Sequence, residues 1–370
     1  MKKVLYLGGF ELPDKNAAAQ RVLANARLLR DMGFEVSFIG ISKDMHNAPH
    51  YIEGFKSNPV PYPTSTKDWI YQIFTFISFR QILDYRPDYV VLYNFPSFAS
   101  LKILRHCHRK GIKVIHDITE WESNSKWSPS DIMRRIDINL RMRYCVKKMD
   151  GVIAISRFLY EYYCRFTNTI QVPPTVDLSN PKFCRDRVLC KKDGSVKIVY
   201  AGSAGNVATK DKLDTIIESL NKYPSIHLDV VGLTEEQFCL LFGWHSEIND
   251  NIKFHGRVSH LEAVQAVCNA DFQLLIRDNS LKNKAGFPTK LVESFSCCTP
   301  IIATVSSNIC DYLEDNVNGF VISGKQSLDD VLNRVIEMTS EDISKMKRAC
   351  RDFKGFDYRF YREEFSKIFI

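Results

Sequence analysis

Nine residues, Gly286 to Ser294 (Gly-Phe-Pro-Thr-Lys-Leu-Val-Glu-Ser), combine types and spacing suited to holding a phosphorylated ligand. Gly286, Phe287 and Pro288 lead into a segment that opens as a helix at Thr289 or Lys290. A helix start aims unpaired backbone N–H groups at the loop before it, and that end carries partial positive charge, which binds phosphate. Lys290 adds a mobile full charge. Glu293, one turn further on the same face, is placed to accept hydrogen bonds from hydroxyls such as those of a ribose. The same residues also admit a plainer reading, a capped helix with a Lys290–Glu293 pair on its surface.

Other candidates stand at strand ends. Arg277 follows the apolar run Phe272 to Ile276 and so falls at the carboxyl edge of a sheet, where open α/β folds bind ligands; its alternative is an ion pair with Asp278 or Glu293. Gly202 and Ser203 lie in the turn Ala-Gly-Ser-Ala-Gly-Asn, and Lys210 precedes an apolar-periodic helix carrying Leu213, Ile216, Ile217 and Leu220. A cation at a helix start opposes the dipole, so Lys210 reads either as an anion ligand or as a solvated lysine. Gly8 and Gly9 close the first strand, as a ligand-approach turn or simply as a turn. His116, Asp117, Thr119, Glu120 and Trp121 follow another strand; carboxylates and an indole suit sugar hydroxyls and faces, and Asp117 or Thr119 also suits a helix cap. Neither glycine turn has the third glycine of a dinucleotide fingerprint, which counts against a dehydrogenase. No metal-ligand spacing and no Asp-x-Asp occurs, so chemistry without metal or cofactor is expected.

The elements that must position these residues read as alternating strands and helices. Strand-like runs recur at Val4–Leu7, Val36–Ile39, Tyr89–Tyr93, Val114–His116 and Val152–Ile155. They restart at Val196–Tyr200 and continue through His227–Val231, Ile252–Phe254, Phe272–Ile276, Ile301–Thr304 and Phe320–Ile322. Two doubly wound parallel α/β domains follow, with a seam in Val172–Ser195 marked by Pro173, Pro174 and Pro181. Phe356–Ile370 reads as a closing helix. The aromatic segment Asp68–Tyr85 reads first as a packed core helix and second as a surface for anionic lipid, and the basic segment Ser130–Lys148 as a solvated helix face or as part of the same lipid contact.

The stretch Gly-Phe-Pro-Thr-Lys-Leu-Val-Glu-Ser-Phe-Ser-Cys-Cys-Thr-Pro-Ile-Ile-Ala-Thr resembles the nucleotide-sugar signature of family 4 glycosyltransferases. The resemblance is closest to a bacterial surface-polysaccharide branch (capsule, O-antigen or exopolysaccharide) and extends over nearly the whole chain. It implies a GT-B fold, two Rossmann-like domains facing across a cleft. Residues 1–178 would form the acceptor-side domain, joined by a C-terminal helix 356–370 crossing back, and residues 179–355 the donor domain. It further implies sugar transfer, retaining in stereochemistry, from a nucleotide-sugar to a saccharide or lipid-linked saccharide. Lys290, Arg277, Lys210 and Glu293 would do the chemistry, with Gly202, Ser203, Gly286, Phe287, Pro288 and Thr289 completing the donor site. Gly8, Gly9, Asn94, His116, Asp117, Thr119 and Glu120 would form the acceptor side. Three positions depart from the pattern: Ala285 stands where many relatives have a first glutamate, Ser203 where they have arginine, and Asn94 where they have histidine. A nucleotide-sugar epimerase of the same fold and a catalytically silent binding subunit are the alternatives.

Composition agrees with a globular protein. The chain has 370 residues, 45% hydrophobic and 25% charged, enough for two cores. A net charge of +7 suits anionic partners yet is weak for nucleic acid. Eleven scattered cysteines without CxxC, no leader pattern and no bilayer-length apolar run imply a cytoplasmic protein with peripheral contact at the inner membrane face. Nothing in the sequence sets an oligomeric state.

Overall fold

The computed structural model describes residues 1–13, 16–48, 50–121, 129–185, 195–203 and 206–370. Part of the expected seam (186–194) and the Ala204-Gly205 step of the second glycine turn lie outside them. The described chain forms two compact units: Met1–Val176 with Lys284–Phe287 and Asp357–Ile370, and Asp177–Asn283 with Pro288–Phe356.

The strands are β1 (Lys3–Gly8), β2 (Glu35–Ile39), β3 (Ile41–Ser42), β4 (Tyr51–Ile52), β5 (Phe55–Ser57), β6 (Val60–Pro61), β7 (Tyr89–Tyr93), β8 (Lys113–Ile118), β9 (Gly151–Ala154) and β10 (Thr169–Gln171) in the first unit. The second holds β11 (Val196–Ala201), β12 (Ile226–Val231), β13 (Ile252–Phe254), β14 (Phe272–Leu275), β15 (Ile301–Thr304) and β16 (Gly319–Ile322). In the first unit the order is β10-β9-β8-β7-β1-β2-β5-β4, parallel except for the β4–β5 hairpin, with β3 and β6 forming a separate pair. Both faces are covered, which is why the strands are apolar throughout. One face packs Val4, Tyr6, Phe38 and Ile115 against the helix Ala17–Asp31; the other packs Leu5, Leu7, Leu92 and Val114 against Ser97–His108.

The chain end belongs to the first unit, as two short pieces rather than the single expected helix. These are a 3₁₀ turn, Tyr358–Tyr361, capped by Asp357, and a helix, Arg362–Ser366. Phe365, Ile368 and Phe369 enter the core beside Phe34 and Tyr89.

In the second unit the sheet runs β13-β12-β11-β14-β15-β16, all parallel. The order reverses beside β11, so the carboxyl ends of β11 and β14 bound a topological switch point. In the first unit β1 and β7 hold the equivalent position.

The aromatic segment departs from the core-helix expectation. Thr66–Phe74 is a helix with a full capping box and no buried residue; Trp69, Tyr71 and Phe74 are each about half exposed. The burial that segment supplies comes instead from Phe76, Ile77 and Ile82 beyond the helix end. Among the described residues no helix is long and apolar enough to cross a membrane.

Candidate active site

At the switch point of the second unit, two cations converge on one carboxylate. Asp211 is fully buried just past the short helix Asn206–Lys210. Its Oδ1 accepts from Arg277 Nε at 2.5 Å, and its Oδ2 accepts from Lys290 Nζ and, at 3.3 Å, from the Tyr200 hydroxyl. Tyr200 comes from β11, Arg277 from the end of β14, and Lys290 from the helix Thr289–Ser296. Arg277 is set by its own backbone, whose N–H donates to Thr304 Oγ1 while that hydroxyl donates back to the Arg277 carbonyl, both at 2.7 Å.

Lys290 is buried and pinned, where the sequence suggested a mobile surface charge. Its ammonium also lies 3.9 Å from the centre of the Tyr200 ring, a cation–π contact. Gly202 explains how it fits. A Cβ there would lie 2.6 Å from the Tyr200 hydroxyl oxygen and 2.8 Å from Lys290 Nζ. Only a residue without a side chain leaves room for the ammonium against the turn.

The electrostatics follow from burial and from the count of charges. Burial alone would raise the Asp211 carboxyl, but Lys290 and Arg277 outweigh it and hold it below the usual aspartate value. Burial, with Arg277 alongside, brings Lys290 down to about 8 even against the attraction of Asp211. The carboxylate is fully used and the cations are not. Arg277 engages only Nε among the described residues, and Lys290 makes one hydrogen bond of the three its ammonium offers.

Glu293 lies one turn beyond Lys290, partly buried, and its carboxylate makes no hydrogen bond among the described residues. Burial raises its pKa, partly offset by His260, Lys290 and Lys182. An acceptor without a donor suits a ligand hydroxyl. Thr289 is exposed as the first helical residue, after Pro288, which offers no side-chain cap. Gly286 and Phe287 belong to the first unit, so the boundary between units falls inside the nine-residue motif. Ala285 is fully buried, and its carbonyl accepts from Ser156 Oγ at 2.7 Å. Ser203 is exposed. Lys210 ends its short helix, two residues before the N-cap of Leu213–Leu220, rather than starting the longer helix.

In the first unit the expected acceptor residues divide by the pleat of β8. Asp117 points to the face of Tyr6 and is fully buried, its Oδ1 accepting from Arg21 Nε at 2.9 Å with NH2 at 2.8 Å, its Oδ2 from Tyr6 and Asn25, both at 3.2 Å. Successive strand residues face opposite ways, so His116 enters the other core, where burial and Arg141 lower its pKa to about 3 and keep it neutral. Neither side chain presents to solvent. Asn94, in a left-handed conformation after β7, ties the strand ends together. Its amide donates to Thr119 Oγ1 at 2.6 Å, and its Oδ1 accepts from Thr119 N–H at 3.0 Å. Thr119 and Glu120 are the partly exposed members of the group, and Trp121 is buried. Gly8 is required by close approach, since a Cβ there would lie 2.6 Å from the Tyr93 carbonyl oxygen, whereas Gly9 has open space.

Asp211 is the residue that sequence reasoning missed. Its one local signal is an acid set between Lys210 and Lys212 at a helix boundary, which reads as solvated charge.

Residues 18–180 match the model of Glycosyltransferase Family 4, and residues 187–353 that of Glycosyl transferases group 1. No curated protein matches the sequence. Among solved structures, sucrose-phosphate synthase from Thermosynechococcus elongatus superposes with a TM-score of 0.72 at 12% identity, over 100% of this chain and 98% of that one. HepE of Anabaena, in complex with UDP, gives 0.66 at 14%, over 99% of each chain. WaaG, a glycosyltransferase involved in lipopolysaccharide biosynthesis, gives 0.64 at 14%, over 98% of each. With its two halves matched to the two paired models, the chain belongs to the group 1 and family 4 glycosyltransferases, and its fold is GT-B.

Proposed function

We propose that the protein transfers a sugar from a nucleotide-sugar donor to a saccharide or lipid-linked saccharide acceptor in assembling a bacterial surface polysaccharide, with retention at the anomeric carbon. The observation that carries this reading is the half-used cation pair, Arg277 and Lys290, at the carboxyl edge of the second sheet. As the bond from the anomeric carbon to the diphosphate oxygen breaks, negative charge gathers on the departing nucleoside diphosphate. Preorganised donors there stabilise that charge in the transition state. Lys210 and the start of the Thr289–Ser296 helix add to the positive field, and Glu293 receives the ribose hydroxyls. The acceptor oxygen bonds to the anomeric carbon and gives up its proton to the departing diphosphate oxygen. Uridine is the first base to test, since HepE of Anabaena is known with UDP and with UDP-glucose.

Fixed cations make a metal unnecessary in this reading. A thermal-shift screen of nucleoside diphosphates and nucleotide-sugars, followed by transfer assays with and without EDTA, tests it. Ligand at about a hundred times its dissociation constant stabilises the fold by about 2.7 kcal/mol. Stabilisation by a diphosphate and chelator-insensitive transfer are expected. Donor turnover without acceptor would point to an epimerase, and absence of nucleotide binding to a silent subunit.

An anionic membrane surface is the proposed setting. Phe74 of the exposed aromatic helix stacks on Phe98 at 4.9 Å, and Ser97 next to it is tied to Asp137, so the helices Thr66–Phe74, Ser97–His108 and Pro129–Leu140 adjoin. They carry exposed Trp69, Tyr71, Phe98 and Ile136 among exposed Lys67, Lys102, Arg105 and Arg134. Apolar and cationic groups together fit anionic lipid, each cation contributing about 1 kcal/mol near the surface and less in salt. Sedimentation with anionic but not neutral vesicles, reduced by Trp69→Ser with Phe74→Ser, is expected. Equal sedimentation with both would remove this setting.

A further inference from the structure

We propose that Asp211 is a positioning residue for the donor diphosphate: it holds Lys290 and Arg277 side by side in a buried place and leaves the group one positive charge in surplus. The inference rests on the donor reading above and adds a residue that the motif does not contain.

Geometry carries it. A buried ammonium and a buried guanidinium repel each other, and each loses hydration, so without a counter-ion the ammonium would shed its proton and the guanidinium, which keeps its charge, would be driven out. Asp211 supplies one to both at once, with one oxygen turned to Arg277 and the other to Lys290 and the Tyr200 hydroxyl. Three donors fix the carboxylate, which therefore fixes both cations. One carboxylate cannot neutralise two cations. The two terminal nitrogens of Arg277 and the remaining protons of the Lys290 ammonium make no other hydrogen bond among the described residues. The Lys290 ammonium sits against Gly202, where only the absence of a side chain leaves room for it. The charged and titratable groups facing Lys290 are Asp211, Arg277, Tyr200 and, on its own helix, Glu293. Of these only Asp211 pulls it strongly toward the charged form by direct contact.

Asp211→Asn tests the idea, because it keeps the size and one acceptor oxygen but removes the charge. In the wild-type protein kcat/KM should fall as pH rises through about 8, where Lys290 loses its proton. Removing an adjacent opposite charge lowers an amine pKa by about one to three units. The alkaline limb of Asp211→Asn should therefore move below neutral pH, and activity lost at pH 7.5 should largely return at pH 6. Adding Lys290→Arg, a cation that stays protonated, should abolish the limb. A residue that merely supported the fold would lower activity equally at every pH. An unmoved limb in Asp211→Asn overturns the proposal. If that variant does not fold, Asp211→Glu keeps the charge and shifts its place. It should fold, retain the limb near 8 and lose about tenfold or more in kcat, and wild-type kcat in Asp211→Glu overturns the proposal equally. Titration of Lys290 by NMR after ¹³C reductive methylation, assigned with Lys290→Arg, reads the same shift without any turnover. Failure of the donor reading would leave that titration intact, whereas failure of this proposal would leave it unshifted.

Discussion

Each unit buries an aspartate beneath the tyrosine of its central strand, and the two clusters differ in one respect that separates a scaffold from a site. In the first unit Arg21 is matched to a single anion, although its NH2 makes no hydrogen bond. Nε and NH2 meet Asp117, and NH1 donates to the carbonyls of Val172 and Pro173 at 2.9 and 3.1 Å. Tyr6 and Asn25 fill the second carboxylate oxygen, and one cation meets one anion. In the second unit Asp211 is as well satisfied, yet it faces two cations, whose remaining donors meet no acceptor among the described residues. Burial alone identifies neither. A closed charge balance marks a strut; a surplus of one sign beside a sheet's switch point marks a place awaiting a ligand.

The strut should break hardest. Arg21→Leu leaves Asp117 buried without its cation, a change that typically costs about 3–5 kcal/mol, measurable as a lower denaturant midpoint. Arg21→Leu combined with Asp117→Asn should recover part of that loss, because no uncompensated charge then remains. Nucleotide affinity of the folded fraction should stay unchanged. A weakened nucleotide affinity with normal stability would reverse the assignment of roles.

Lys290→Ala should show the opposite profile. The transition-state charge on the leaving diphosphate loses a donor of the kind commonly worth about 3 to 4 kcal/mol, so kcat should fall on the order of a hundredfold or more. Stability should change little, since Arg277 and Tyr200 still satisfy Asp211 and one cation then balances one anion. Steady-state kinetics with a parallel melt checks both halves. A near-normal kcat with only KM raised would make the stretch Gly286–Ser294 a binding loop.

The strands that carry this contrast were legible in the sequence, the paired charges themselves were not, and the reason is physical. The eleven strands read from apolar runs all occur, because a sheet covered on both faces demands continuous apolar residues. Short β3 to β6 and β10 went unread, since two or three residues carry no periodicity. Lys290 and Arg277 were found from strand ends and a helix start, which are local features. Asp211 lies 66 positions from Arg277 and 79 from Lys290 in the chain, and nothing near it announces either partner. Arg21 and Asp117 were hidden likewise. Asp117 read as an acceptor group because it ends a strand, and only the tertiary structure shows Arg21 arriving from the first helix to close the pair. The exposed aromatic helix Thr66–Phe74 shows the converse limit, for aromatic content signals burial somewhere without saying whether protein or another phase supplies it.

The subtlest expected effect belongs to Glu293, which sharpens the comparison because it is the one acid of the second site with no donor. Burial raises its pKa above the ordinary glutamate value. A carboxyl whose pKa is higher in the folded than in the unfolded chain contributes most favourably below its unfolded value, and that contribution is lost as pH rises through the folded value. At neutral pH, above the unfolded value, the raised pKa of Glu293 therefore costs stability in the absence of ligand. Glu293→Gln removes that cost while keeping an acceptor oxygen, so the melting temperature at pH 7 should rise by about 2–4 °C per kcal/mol recovered. The gain should shrink as pH falls toward 4.5, where the wild-type carboxyl is protonated and uncharged as well. Donor affinity should move the other way. A neutral amide accepts a weaker hydrogen bond from ribose hydroxyls than a carboxylate does, so binding should weaken about tenfold, with a smaller change in kcat. Calorimetry of nucleotide binding beside a pH series of melts reads both. A residue kept for function at the expense of stability gives opposite signs in the two measurements; a fall in both would mean that Glu293, like Asp117, is part of the frame.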